Sequence, residues 1–256
     1  MNREKALLTY IFGAIGQILV TCIIVFLLRN NEIRVDFSTI LGVLAVGIGG
    51  LSSALWGAIV SMKYKKYSIK KVFLDFINVK QSYGGYLLVA FCLLLQFCYV
   101  LIGGKFQIDV WYAPITLFLS AILFGGIEEI GWRYTFQPIL EEKINYIFST
   151  FLTFLSWGIW HFLYFYITGT LNEVQIIDFL AGLLTSCFLL SAIYNKTNSL
   201  WLCVLSHALL NTFSQMTCGG NTYVLYICRG IAILLAIVVC SKEKTKHIPN
   251  NTKVTD

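Results

Sequence analysis

Residues 6–28 read ALLTYIFGAIGQILVTCIIVFLL, an apolar run broken only by small or uncharged polar side chains. About 20 such residues cross a bilayer as one helix, so the run is read as a membrane span. A signal peptide's apolar core covers only about 7–15 residues. This run is longer and no small-x-small cleavage site follows it, so the span is expected to be retained. Seven further runs of the same kind lie at residues 40–62, 84–103, 111–127, 147–167, 176–194, 200–217 and 222–240. The composition agrees: of 256 residues, 57% are hydrophobic and 12% charged, whereas a soluble domain carries about 25% charged residues. A water-soluble globule is excluded for want of polar surface. The expected fold class is an all-α membrane protein, with about eight transmembrane helices in one bundle around a buried polar cavity. Residues 1–256 form a single polytopic domain, ending in a polar cytoplasmic tail at 241–256.

The net charge of +6 comes from basic residues in the gaps between apolar runs. With eight spans, one side collects Arg3, Lys5, Lys63, Lys65, Lys66, Lys70, Lys71, Lys80, Lys143 and Lys196, together with Lys242, Lys244, Lys246 and Lys253 of the tail. The other side holds only Arg29, Arg34 and Lys105. The positive-inside rule makes the crowded side cytoplasmic, both termini included. Topology thus accounts for the charge, and the lipid bilayer rather than a nucleic acid is the expected partner. In the loop after the second span, Ile69, Val72, Phe73, Phe76 and Ile77 fall on one helical face opposite Lys70, Lys71, Asp75 and Asn78, which predicts a short interfacial amphipathic helix. Gly49, Ser53 and Gly57 recur every fourth residue, a spacing that lets helices approach closely. The eight cysteines form no C-x-x-C pair and read as small apolar filler, with no disulfide or metal assigned.

An ionisable side chain near the bilayer centre costs about 2.5–3.5 kcal/mol even on the lenient insertion scale, so it needs a partner, water or a task. Such residues gather in three places. Glu128, Glu129 and Arg133 end the fourth run; Glu129 and Arg133 are i, i+4 helical neighbours, which leaves Glu128 to face water or other helices. His161 lies near mid-membrane in the fifth run, four residues after Trp157. His207 and Asn211 share one face of the seventh. Together they supply a carboxylate base, two imidazoles and an amide, the needs of a hydrolysis that activates water and holds an oxyanion. A carboxylate in a low-dielectric cavity also binds its proton more tightly, as a general base near neutral pH requires. Glu128, His161 and His207 equally make up a His₂Glu zinc set, so a water-activating and a zinc site are both compatible with the residues. No H-E-x-x-H and no G-x-S-x-G occurs.

Glu128-Glu129-x-x-x-Arg133, then Trp157-x-x-x-His161, then His207-x-x-x-Asn211, resemble in order and spacing the three motifs of the CAAX protease and bacteriocin-processing family, the intramembrane peptidases related to type II CAAX prenyl protease. The flanking words EEIGWR, WGIWH, SLW and SHA are similar as well, and the motif-bearing core covers about residues 111–213. Many relatives have phenylalanine where this chain has Trp157. The resemblance implies an intramembrane endopeptidase in which Glu128 and His161 activate the attacking water. His207 and Asn211 then stabilise the oxyanion or hold the water, and Glu129 with Arg133 braces the first motif or helps bind substrate. It also implies a membrane-associated peptide or protein substrate. The short loops resemble the bacterial type, linked to bacteriocin maturation, self-immunity or surface-protein processing in the cell membrane, rather than one acting on prenylated proteins. The residues themselves leave two alternatives: a non-catalytic immunity or scaffold protein on the same fold, and a proton-coupled transporter using Glu128, His161 and His207 as a relay. Arg229, in the eighth run, is expected to snorkel to the outer interface.

Overall fold

The computed structural model describes residues 1–241, so the expected tail, with its lysines and His247, lies outside the described residues. The first span is α1 (Arg3–Asn30), opened by an Asn2 side chain that accepts the Lys5 amide. The second is broken into α2 (Ile40–Gly50) and α3 (Ser52–Lys63). The amphipathic segment forms α4 (Ile69–Phe76), capped by Ser68. Its Val72 is buried while Ile69 and Phe73 stay exposed, as a helix lying on an interface requires. Then come α5 (Tyr83–Phe97) and α6 (Ala113–Phe124). The fourth span continues through the single turn α7 (Glu129–Gly131), a π-helical turn at Trp132–Phe136, and α8 (Gln137–Glu141). The bundle closes with α9 (Tyr146–Thr168), α10 (Ile176–Thr197), α11 (Leu200–Met216) and α12 (Thr222–Ser241).

Among the described residues, seven helices are long and apolar enough to cross a membrane by length and composition. The 17-residue α11 falls short of that length, yet contacts at its two ends place them on opposite faces of the bundle. Trp201, in its first turn, donates to Tyr86 at the start of α5, and the residues after Met216 pair with the segment that follows α5. That pairing is a two-stranded antiparallel sheet, β1 (Gly104–Phe106) with β2 (Thr217–Gly219), which the apolar runs gave no reason to expect. Arg29, at the end of α1, donates to the carbonyls of Tyr166 and Ile167 at the end of α9, so these two helices run parallel. Cys240, at the end of α12, packs beside Tyr146 at the start of α9. The beginning of α1 and the end of α12 therefore share one face of the bundle.

Large apolar residues point outward along the long helices, including Phe12, Ile40 and Leu123. In water such a surface would aggregate; against lipid it is the ordinary exterior. The interior is held by close backbone approach. A methyl group on Gly57 would lie 2.6 Å from Gly131 Cα, and one on Gly131 would lie 2.3 Å from Ser53 Oγ. The fourth-residue spacing thus lets α3 lie against the Glu129–Gly131 turn, and Ser53 Oγ donates to the Glu128 carbonyl at 3.2 Å. Just past the break at Leu51, the buried Ser52 hydroxyl accepts the Trp160 indole N–H at 2.8 Å.

Candidate active site

The Trp157 side chain, on α9, is where the three motifs meet. Its indole N–H donates to Glu128 Oε2 at 2.7 Å. The His161 ring lies edge-on to it at 5.1 Å between centroids, and the His207 ring at 5.3 Å. The Arg133 guanidinium stacks over the ring as well, 4.2 Å from its centroid. Trp157 is buried, so this geometry is fixed by packing rather than by solvent. Side chains far apart in sequence converge on one ring.

Two adjacent carboxylates have separate surroundings. Glu129 is fully buried, and its Oε1 accepts from His207 Nδ1 at 2.7 Å and from Arg133 Nη1 at 3.2 Å. Arg133, also fully buried, reaches Cys187 Sγ with Nη2. Glu129 and Arg133 have no exposed surface, and the cleft-lining group they contact is His207, through Glu129 Oε1. Glu128 retains 4% exposure. Its Oε2 is held by Trp157, while Oε1 is neither bonded nor sealed. The 3₁₀ turn at Gly126–Glu128, the Glu129–Gly131 turn and the π-helical turn rotate successive side chains unequally, and π turns inside helices are frequent at functional sites. Gly125 brings the segment close to α11: a methyl group there would sit 2.5 Å from Asn211 Nδ2 and 3.2 Å from His207 Nε2.

His161, His207, Asn211 and Trp157 line one cleft of about 240 Å³. Its walls continue along α10 through Phe179 and Gly182 and include Gln96 of α5 and Arg229 of α12. His161 Nδ1 lies 3.0 Å from the Trp157 carbonyl, which only accepts, so Nδ1 carries the proton and Nε2 is the free nitrogen. Glu128, Glu129 and Arg133 do not line the cleft; Glu128 is joined to it through Trp157.

A zinc ion on Glu128, His161 and His207 does not fit this arrangement. Among the described residues no three side chains of His, Cys, Asp or Glu gather as metal ligands, and Glu128 Oε2 is occupied by an indole N–H. Glu128 Oε1 and the two imidazoles are not gathered as a three-ligand set, and fewer ligands leave a divalent ion underbound.

Arg229, expected only to snorkel, also lines the cleft. Its Nη1 reaches back to the Asp178 carbonyl in the first turn of α10, and its guanidinium lies over Gly182, where a methyl group would sit 3.2 Å from Nη2. The absent side chain at Gly182 is the only sequence signal for this, and it has no meaning until α10 and α12 are known to touch. Gln96 was likewise missed, a single amide in an apolar run.

The family model described as type II CAAX prenyl endopeptidase Rce1-like matches residues 110–213, a stretch that contains all three motifs. No curated protein matches the chain.

Proposed function

We propose that this chain, a multi-pass membrane protein of the CAAX protease-like family by virtue of its Rce1-like residues 110–213, is an intramembrane endopeptidase that hydrolyses a membrane-associated peptide or protein with a water activated by Glu128. One observation carries the reading: Glu128, His161 and His207 meet on the Trp157 ring beside a cleft of about 240 Å³. In this scheme Glu128 Oε1 takes a proton from the water as its oxygen attacks the scissile carbonyl carbon. His161 Nε2 accepts the water's second hydrogen and fixes its direction. With a proton on each ring nitrogen, His207 donates Nδ1–H to Glu129 and Nε2–H to the oxyanion, with Asn211 Nδ2 as second donor. Glu128 returns its proton to the leaving nitrogen as the C–N bond breaks, which leaves a carboxylic acid and an amine. No step passes through a metal.

The lysine-rich face is the cytoplasmic one by the positive-inside rule, which places both termini there. The substrate falls to the bacterial branch of the family, in bacteriocin maturation, immunity or surface-protein processing, rather than to prenylated proteins. Mass spectrometry of membrane proteins from cells carrying the wild-type chain or Glu128→Gln tests this. Peptide termini present only with the wild type are expected. Identical peptide inventories, with both proteins inserted equally, would reject the peptidase and favour a scaffold.

A further inference from the structure

We infer that Arg229 is the substrate-recognition residue of the cleft and binds a carboxylate of the peptide being cut. The inference rests on the peptidase reading and adds the chemistry that selects its substrate. Arg229 lies seven residues into α12, about 10 Å along the helix, which is inside the depth of the apolar spans. A cation at that depth requires compensation, and those that persist in membranes face cavities on ligand pathways. Arg229 faces the same cleft as His161 and His207.

Its own compensation is incomplete. The ion pairs among the described residues do not include it. Nε is sealed and has no hydrogen-bond partner. Nη1 reaches only the Asp178 backbone carbonyl at 3.4 Å, the outer limit of a hydrogen bond. The Asp178 carboxylate, exposed at the start of α10, accepts instead from Tyr226, whose ring lies 5.5 Å from the Arg229 guanidinium carbon. Tyr226 thereby holds the nearest acidic group by its hydroxyl while packing on the guanidinium. The missing side chain of Gly182 gives the planar head room to lie along the wall. What remains is a planar donor fork, the geometry that a carboxylate satisfies with two parallel hydrogen bonds. The carboxylate has two sources in a peptide, an acidic side chain or the free C-terminus, and the chemistry at Arg229 is the same for both.

The test compares membrane-protein termini from cells with wild type, Glu128→Gln, Arg229→Gln and Arg229→Lys, each checked for equal insertion. Termini that depend on Glu128 are expected to lie near an acidic residue or a chain end. They are expected to fall about tenfold or more with Arg229→Gln and to recover in part with Arg229→Lys, which keeps the charge but not the fork. Synthetic peptides across an identified site then separate the sources. With purified wild type, amidating the C-terminus or replacing the acidic side chain by its amide is expected to raise KM, whichever carries the contact, and Arg229→Gln removes the difference. Glu128-dependent cleavage that continues at the wild-type rate in Arg229→Gln overturns the inference and leaves the peptidase intact. Absence of any Glu128-dependent terminus overturns the peptidase reading, and the inference falls with it.

Discussion

Away from the cleft and along it, the same bundle treats polar groups in opposite ways. Away from it, Ser61, Thr135, Gln137, Thr150 and Ser191 are buried and bonded in two groups: Ser61 to Thr135 at 2.7 Å, Gln137 to Thr150 at 3.1 Å and Ser191 to Gln137 at 2.6 Å. Along it, His161, Asn211 and Arg229 line the wall with donors and acceptors left open. A satisfied network rigidifies, whereas an open one is available to a ligand. The adjacent carboxylates differ in the same sense: Glu128 keeps Oε1 open, whereas Glu129 is sealed and bonded through Oε1, although its Oε2 and Arg133 Nε have no partner. The difference teaches that the sealed layer is what holds the open groups in place.

Replacing an open group should therefore remove activity without loosening the fold. Glu128→Gln is expected to lower cleavage by about 10³–10⁴-fold while expression and thermal stability in detergent stay near wild type; lost stability with retained cleavage would dissolve the divide. Breaking the sealed side should do both kinds of damage at a smaller catalytic cost. Glu129→Gln strips the partner from His207 and Arg133, so about 10–100-fold in rate is expected together with a marked fall in melting temperature. Trp157→Phe keeps the ring and deletes one charge-assisted hydrogen bond. About tenfold in rate, with KM little changed, is expected from steady-state kinetics. Chelation is expected to leave the rate of the purified protein unchanged, since the donors do not fit a zinc ion.

The smallest effect lies at the far end of the bundle. Lys65, in the loop after α3, stacks on Tyr134 and Tyr67 and donates to the Tyr134 carbonyl. Burial pushes its amine down to about 8 from 10.5. Between about pH 8 and 10.5 the unfolded chain binds this proton and the folded chain does not, so stability rises with pH across that window. Melting curves of wild type and Lys65→Met at pH 7.5 and 9.5 read the term as a gain in the wild type alone.

Much of the frame was legible because lipid imposes simple rules. Run length gave the spans, lysine placement gave the pairing of ends, and the spacing of Ile69, Val72 and Phe73 gave α4. The glycine-serine repeat foretold the close approach at Gly131. What stayed hidden depends on contacts between distant segments. Nothing in the first motif separates Glu128 from Glu129; the partners that do so, Trp157 and His207, lie on other helices. The break after Gly50 and the π turn at Trp132–Phe136 follow from packing against α9 and α3, and the β1–β2 pair joins residues more than a hundred positions apart. Arg229 lines the cleft beside the gap at Gly182 of α10, a contact that no single segment reveals.

The most direct test is cleavage of an identified substrate peptide by the purified chain in ¹⁸O-water. With the wild type, the new carboxyl terminus is expected to carry one ¹⁸O atom, and Glu128→Gln is expected to form no such product. Product of equal yield and labelling from Glu128→Gln would contradict the account.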